Sequence, residues 1–128
     1  MTTAAAELFS GVAKDHLSLF EGEKPKCPDV MRIFEFKKQD VARAAGVALS
    51  SVRWDDRMPP EVRDRFREWA NLINLVAEFF EGDTRKTALW FTLPNPTLGD
   101  VRPRDMIRFG RYKRLQKSVV NALSENRR

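Results

Sequence analysis

The chain has 128 residues, of which 42% are hydrophobic and 32% charged, and its 23 Lys and Arg against 18 Asp and Glu give a net charge of +5. That length suits one compact domain, or two very small ones sharing a core, and leaves little room for a separate catalytic domain. No apolar run approaches the roughly 20 residues that cross a bilayer, Met1 to Ala6 lacks the basic start of a secretory signal, and the single cysteine excludes an internal disulfide, so the expected compartment is the reducing cytoplasm.

In chain order, Ala4 to Phe20 reads as one weak helix with Leu8, Phe9, Val12, Leu17 and Phe20 partly on one side. Gly22, Pro25 and Pro28 interrupt it, so residues 1–28 form an N-terminal extension that ends in a linker. Asp29 is placed to N-cap a short helix through Phe36, although the alternation of Ile33 to Phe36 leaves a strand open.

Residues 37–57 have the spacing of a helix-turn-helix. Ala42 stands four residues before Gly46, where a small side chain lets two helices approach and a glycine can take the left-handed turn between them. Val41, Ala45, Val47 and Val52 would pack the pair together. A second helix beginning near Leu49 would offer Ser50, Ser51, Arg53 and Arg57 to a DNA groove, with Lys37, Lys38 and Gln39 available to phosphates. Asp55 and Asp56 oppose that use by placing negative charge beside a polyanion. Pro59-Pro60 ends the unit and starts the next helix, which sets the expected boundaries at 29–59 for the helix-turn-helix and 60–128 for a second helical domain.

From Glu61 to Gly82, Val62, Phe66, Trp69, Ala70, Ile73, Val76, Ala77 and Phe80 recur at three- and four-residue spacing and predict a core helix. A second stripe, Leu72, Leu75 and Phe79, must be covered either by the rest of the chain or by a second copy, and makes these residues candidates for homodimerisation. Asp83 can cap a short helix to Leu93 carrying Trp90, and Pro94 to Pro103 forms an ordered turn anchored by Leu98 and Val101, with Asn95 holding it. Pro103 starts a helix that Met106, Ile107 and Phe109 would pack inward and that Gly110 stops, and a last helix, Tyr112 to about Leu123, sets Leu115, Val119, Ala122 and Leu123 opposite Lys113, Arg114 and Lys117. Residues 86–128 carry ten basic and three acidic groups, an excess that points to an acidic partner.

Two stretches carry a resemblance. Asp40 to Val47 followed by Ser51 to Pro59, and Trp90 followed by Pro94 to Asp100, Arg102 to Ile107 and Gly110-Arg111, together resemble the antitoxins of the Xre/MbcA/ParS type, the antitoxin halves of RES–Xre toxin–antitoxin systems. The resemblance spans about a hundred residues, from residue 30 onward. It implies an all-α, dimeric, non-enzymatic antitoxin whose C-terminal domain sterically neutralises a RES-type, NAD-consuming toxin and which represses its own operon by binding operator DNA. It also implies toxin contacts at Trp90, Asn95, Leu98, Arg111, Lys113, Arg114, Arg127 and Arg128. Two positions depart from the pattern: Arg102 stands where a capping Ser or Thr is usual, and Asp100 where a Gly is expected.

An enzyme is the weaker expectation. His16 and Cys27 are the only residues of their kinds, and there is neither a glycine-rich phosphate loop nor metal-ligand spacing, so no cofactor or metal is expected. A stand-alone helix-turn-helix regulator without a toxin is the main alternative.

Overall fold

The computed structural model describes residues 14–126. In chain order its elements are a hairpin of β1 (Phe20–Glu21) and β2 (Lys24–Pro25), α1 (Cys27–Phe34), α2 (Lys38–Ala45), a 3-10 turn at Leu49–Ser51, α3 (Pro60–Phe79), α4 (Thr84–Thr92), a 3-10 turn at Pro96–Leu98, α5 (Pro103–Arg108) and α6 (Tyr112–Asn126). The described residues are thus mostly helical, with six α-helices and one two-stranded antiparallel hairpin. No helix among them is long and apolar enough to cross a membrane.

The strongest periodicity in the sequence supplies the axis. Pro60 sits in the first turn of α3, where its missing N–H costs nothing, and the helix stops where Glu81 and Gly82 turn left-handed and the Gly82 N–H donates to the Ala77 carbonyl. Helices α1, α2, α4 and α6 and strand β2 all contact α3. Val62, Phe66, Trp69, Ala70, Ile73, Val76 and Ala77 are buried accordingly, and the same encirclement buries Leu72 and Leu75, which are 1% and 3% exposed. These two are therefore core residues of the single chain and not a dimer face. Of the second stripe only Phe79 reaches solvent, so the case for a second copy narrows to that residue.

The centre of the core is aromatic. Phe34 meets Phe36, Trp69 and Phe91 with ring centroids 5.0, 6.2 and 5.0 Å apart, and Trp54 reaches Phe66 edge-on at 5.5 Å. Such tilted pairs add about 0.5–1.5 kcal/mol each to the burial of their area. One cluster of buried residues runs from Leu19 to Leu123 and draws on all three expected segments.

At the N-terminal side the structure differs from the sequence expectation. Most of the expected Ala4–Phe20 helix lies outside the described residues, and its described end is not helical. There the Asp15 carboxylate accepts the Leu19 and Phe20 N–H groups at 2.8 and 3.0 Å and the Asn74 side-chain amide at 3.0 Å, while the Asn74 oxygen accepts the Leu17 N–H. The expected linker contains the β1–β2 hairpin, which turns at Gly22 (φ +64°), and the start of α1. Pro28 is tolerated because it falls in that first turn. Asp29 consequently lies inside the helix instead of capping it, and α1 ends at Phe34 because Glu35 is left-handed.

The second helix of the expected helix-turn-helix is also corrected. Gly46 does end α2 in the left-handed conformation (φ +69°), but the chain then makes only a three-residue 3-10 turn and runs without α-helix to Pro59. Two local interactions hold it so. Asp55 accepts the Arg53 Nε–H at 2.8 Å and the Arg57 backbone N–H at 2.9 Å, an Asx-type turn that competes with helix, and Trp54 is drawn in against Phe66.

Arginines tie the C-terminal helices to the N-terminal half. Arg104, 8% exposed, donates to the carbonyls of Phe34 and Glu35, the C-terminal end of α1, and lies 5.5 Å from the Phe36 ring centroid. Arg108 bridges Asp105 and Asp40 at 3.0 and 2.9 Å, and Asp40 in turn accepts the Lys37 N–H at the start of α2. Arg102 makes no capping bond, but its Nε donates to Asp105 at 2.7 Å. Burial alone would raise the Asp105 carboxyl, yet the bonds from Arg102 and Arg108 and the neighbouring positive charge outweigh it and hold it below the ordinary carboxylate value. The stability it contributes is thus present above the unfolded carboxylate pKa and is lost as pH falls through the lower folded value.

Candidate partner-binding surfaces

The segment between α4 and α5 is built by Asn95. Its side-chain oxygen accepts the Thr97 N–H and hydroxyl at 2.9 and 2.6 Å, its N–H donates to Val101, and its carbonyl accepts the Asp100 N–H. Pro96 fixes one backbone angle inside the turn, and Gly99 and Asp100 both adopt positive φ, +72° and +63°. The departure at Asp100 therefore falls where glycine is the unstrained residue. Asp100→Gly is expected to stabilise the protein by about 0.5–1 kcal/mol, a rise of a few degrees in Tm. An unchanged or lower Tm in a thermal melt would show that the carboxylate compensates for the strain.

This turn closes one wall of an apolar groove. Phe79 and Phe80 at the end of α3, Trp90 of α4, Asn95, Thr97 and Leu98 of the turn, and Ser118, Val119 and Ala122 of α6 enclose a cavity of about 350 Å³. A second hollow of about 360 Å³ continues it along α4, sharing Phe80, Trp90 and Asn95 and adding Lys86, Leu89, Leu93 and Pro94. Leu93, Leu89 and Phe79 are 53%, 44% and 37% exposed. Contiguous open apolar surface of this kind marks an interaction site more often than a solitary exposed leucine does.

The expected site residues divide between different surfaces. Trp90, Asn95 and Leu98 meet in the groove, together with Phe79, which the sequence pattern assigns to a dimer interface. Arg111, just before α6, and Lys113 and Arg114 in its first turn are exposed and do not line the groove, although Arg114 stands one turn before Ser118 on the same side of the helix, and Arg127 and Arg128 lie outside the described residues. Lys37, Lys38 and Gln39 are exposed at the start of α2, with the Lys38 ammonium 5.5 Å from the Trp54 ring. Ser50, Ser51, Arg53 and Arg57 belong to the stretch without α-helix, and Arg53 is engaged by Asp55. Phe109, which the helix pattern places inward with Met106 and Ile107, is instead 55% exposed and meets Arg43 at 5.3 Å although the two are distant in the chain, while sequence reasoning does not single out Arg43, Arg104 or Arg108.

Among the described residues no group of three or more His, Cys, Asp and Glu could hold a metal ion. Cys27 is buried, and burial pushes its thiol up to about 11, so it stays protonated at neutral pH. Tyr112 is likewise raised, first by burial and then by Glu68, and its hydroxyl donates to the Glu68 carbonyl. Comparison of the chain with protein-family models, with curated proteins and with solved structures found no match.

Proposed function

We propose that this protein is a non-catalytic antitoxin that neutralises a RES-type toxin by covering it, with the groove between α3, α4, the Asn95 turn and α6 as the principal contact. The observation that carries this reading is the groove itself, where Phe79, Trp90 and Leu98 leave apolar surface open beside a turn held by its own hydrogen bonds. A preformed apolar cleft loses little ordering entropy on binding, which suits tight inhibition by obstruction. Of the residues that carry the resemblance, Trp90, Pro94, Asn95, Pro96, Thr97 and Leu98 line this cleft, and Arg104 ties the segment that follows it to α1. A stand-alone helix-turn-helix regulator is less well supported, because the stretch that would read DNA is a 3-10 turn followed by an internally paired arginine.

Co-expression tests the proposal. The unmutated chain is expected to suppress the growth defect caused by the product of the adjacent reading frame, and Phe79→Glu with Leu98→Asp to abolish suppression. Because both residues are partly exposed, the variant should accumulate in folded form. Full suppression by the variant would remove the groove from the inhibitory surface.

A further inference from the structure

The walls of the groove carry no negative charge. Among the described residues that line its two hollows, of about 350 and 360 Å³, Lys86 alone is charged. It is exposed, and its ammonium forms no ion pair among the described residues. Glu81 and Asp83, which stand between Phe80 and Lys86 in the chain, line neither hollow, and Asp83 is engaged in capping α4 through the Lys86 backbone N–H.

Trp90 and Asn95 line both hollows, and each leaves a donor unused. The Thr97 backbone N–H can only donate, so its bond of 2.9 Å fixes which end of the Asn95 amide is the oxygen and leaves the NH2 as the other end. Neither that NH2 nor the Trp90 indole N–H has a hydrogen-bond partner among the described residues. One ammonium and two neutral donors thus belong to a lining whose other side chains are mostly apolar.

From this polarity we infer that the groove is a binding site for a small amphipathic carboxylate, a medium-chain fatty acid anion, whose head meets Lys86 and Asn95 and whose tail fills the hollow between Phe79, Leu98 and Val119. Each hollow lies within the roughly 300–1,000 Å³ of small-molecule sites, which are mostly apolar with a few placed polar groups. A single ammonium matches a head with one negative charge. A cationic head would meet like charge at Lys86, and a neutral one would gain only the burial of its tail. The ligand would occupy surface that the toxin covers and so compete with it, a consequence that rests on the antitoxin reading, whereas binding itself does not.

The test is calorimetric titration of the full chain with decanoate, kept below the concentration at which it forms micelles, beside decanol and decyltrimethylammonium. Decanoate should bind at a single site and at least about tenfold more tightly than decyltrimethylammonium, because its head gains a charge-assisted hydrogen bond. Each methylene removed from the tail should weaken binding about fourfold. Lys86→Glu should lower decanoate affinity at least about tenfold and leave decanol unchanged. Lys24→Glu makes the same charge change on the exposed β2 strand and should affect neither. Ala122→Trp, at an exposed position of the α6 wall, should weaken both by filling the hollow, with the helical dichroism signal retained. Absence of decanoate binding would overturn the inference. So would equal affinity for the anionic and cationic heads, or equal losses from Lys24→Glu and Lys86→Glu. Decanoate that binds as expected yet leaves the toxin complex intact would support the ligand site and count against the groove as the toxin contact.

Discussion

Arg104→Ala is expected to destabilise the protein by about 2–4 kcal/mol, because it strands the two carbonyls that its guanidinium serves. These are the Phe34 and Glu35 carbonyls, where α1 ends and a left-handed residue redirects the chain. The planar fork suits two adjacent acceptors, and the stem and face of the side chain also cover Phe36. Lysine at this position keeps the charge but not the fork, so Arg104→Lys should recover less than half of the loss. Urea unfolding followed by circular dichroism measures both. A loss for Arg104→Ala below about 0.5 kcal/mol would place it among ordinary surface substitutions and contradict its role as the brace between α5 and α1.

Leu72→Glu and Leu75→Glu should each unfold the protein instead of converting a dimer to monomers. Both side chains are enclosed within one chain, at 1% and 3% exposure, and an unpaired carboxylate there costs more than about 4 kcal/mol, a large part of a typical domain's stability. Loss of the helical dichroism signal together with expanded or aggregated elution is the expected result. Folded monomers derived from a dimeric parent would reinstate the pair as an interface. Phe79→Glu is the matched control and should remain folded.

These two leucines show where sequence reasoning reaches its limit. Three- and four-residue spacing reveals that α3 is apolar on two sides, but periodicity does not say which neighbour covers a side, and other elements of the same chain do. Local chemistry is more legible. Gly46 ends α2, Asp83 caps α4 by accepting the Lys86 N–H, Pro103 starts α5, and Leu115, Val119 and Leu123 bury one face of α6. Each of these depends on residues within one or two turns of each other.

The absence of a second helix at 49–57 has a local cause that is present in the sequence. Asp55 reads there as a charge facing DNA, whereas its side chain bonds Arg53 and the Arg57 backbone and so selects a turn. Gly22 likewise reads as a helix breaker in a linker, although a left-handed residue between two short extended pairs is equally a hairpin signal. By contrast, the groove and the Arg43–Phe109 contact each combine segments far apart in the chain. Phe79 joins Leu98 and Val119, and Arg43 joins Phe109, only once the helices pack. Residue type is readable at all five positions, but their juxtaposition is not.

The groove's role is tested most directly by titrating the purified chain with the product of the adjacent reading frame, alongside the Phe79→Glu and Leu98→Asp double variant. A tight complex is expected for the unmutated chain and at least about a hundredfold weaker binding for the variant, equivalent to about 2.7 kcal/mol, with its thermal unfolding little changed. Equal affinity of both proteins, or no complex with the unmutated chain, would contradict it.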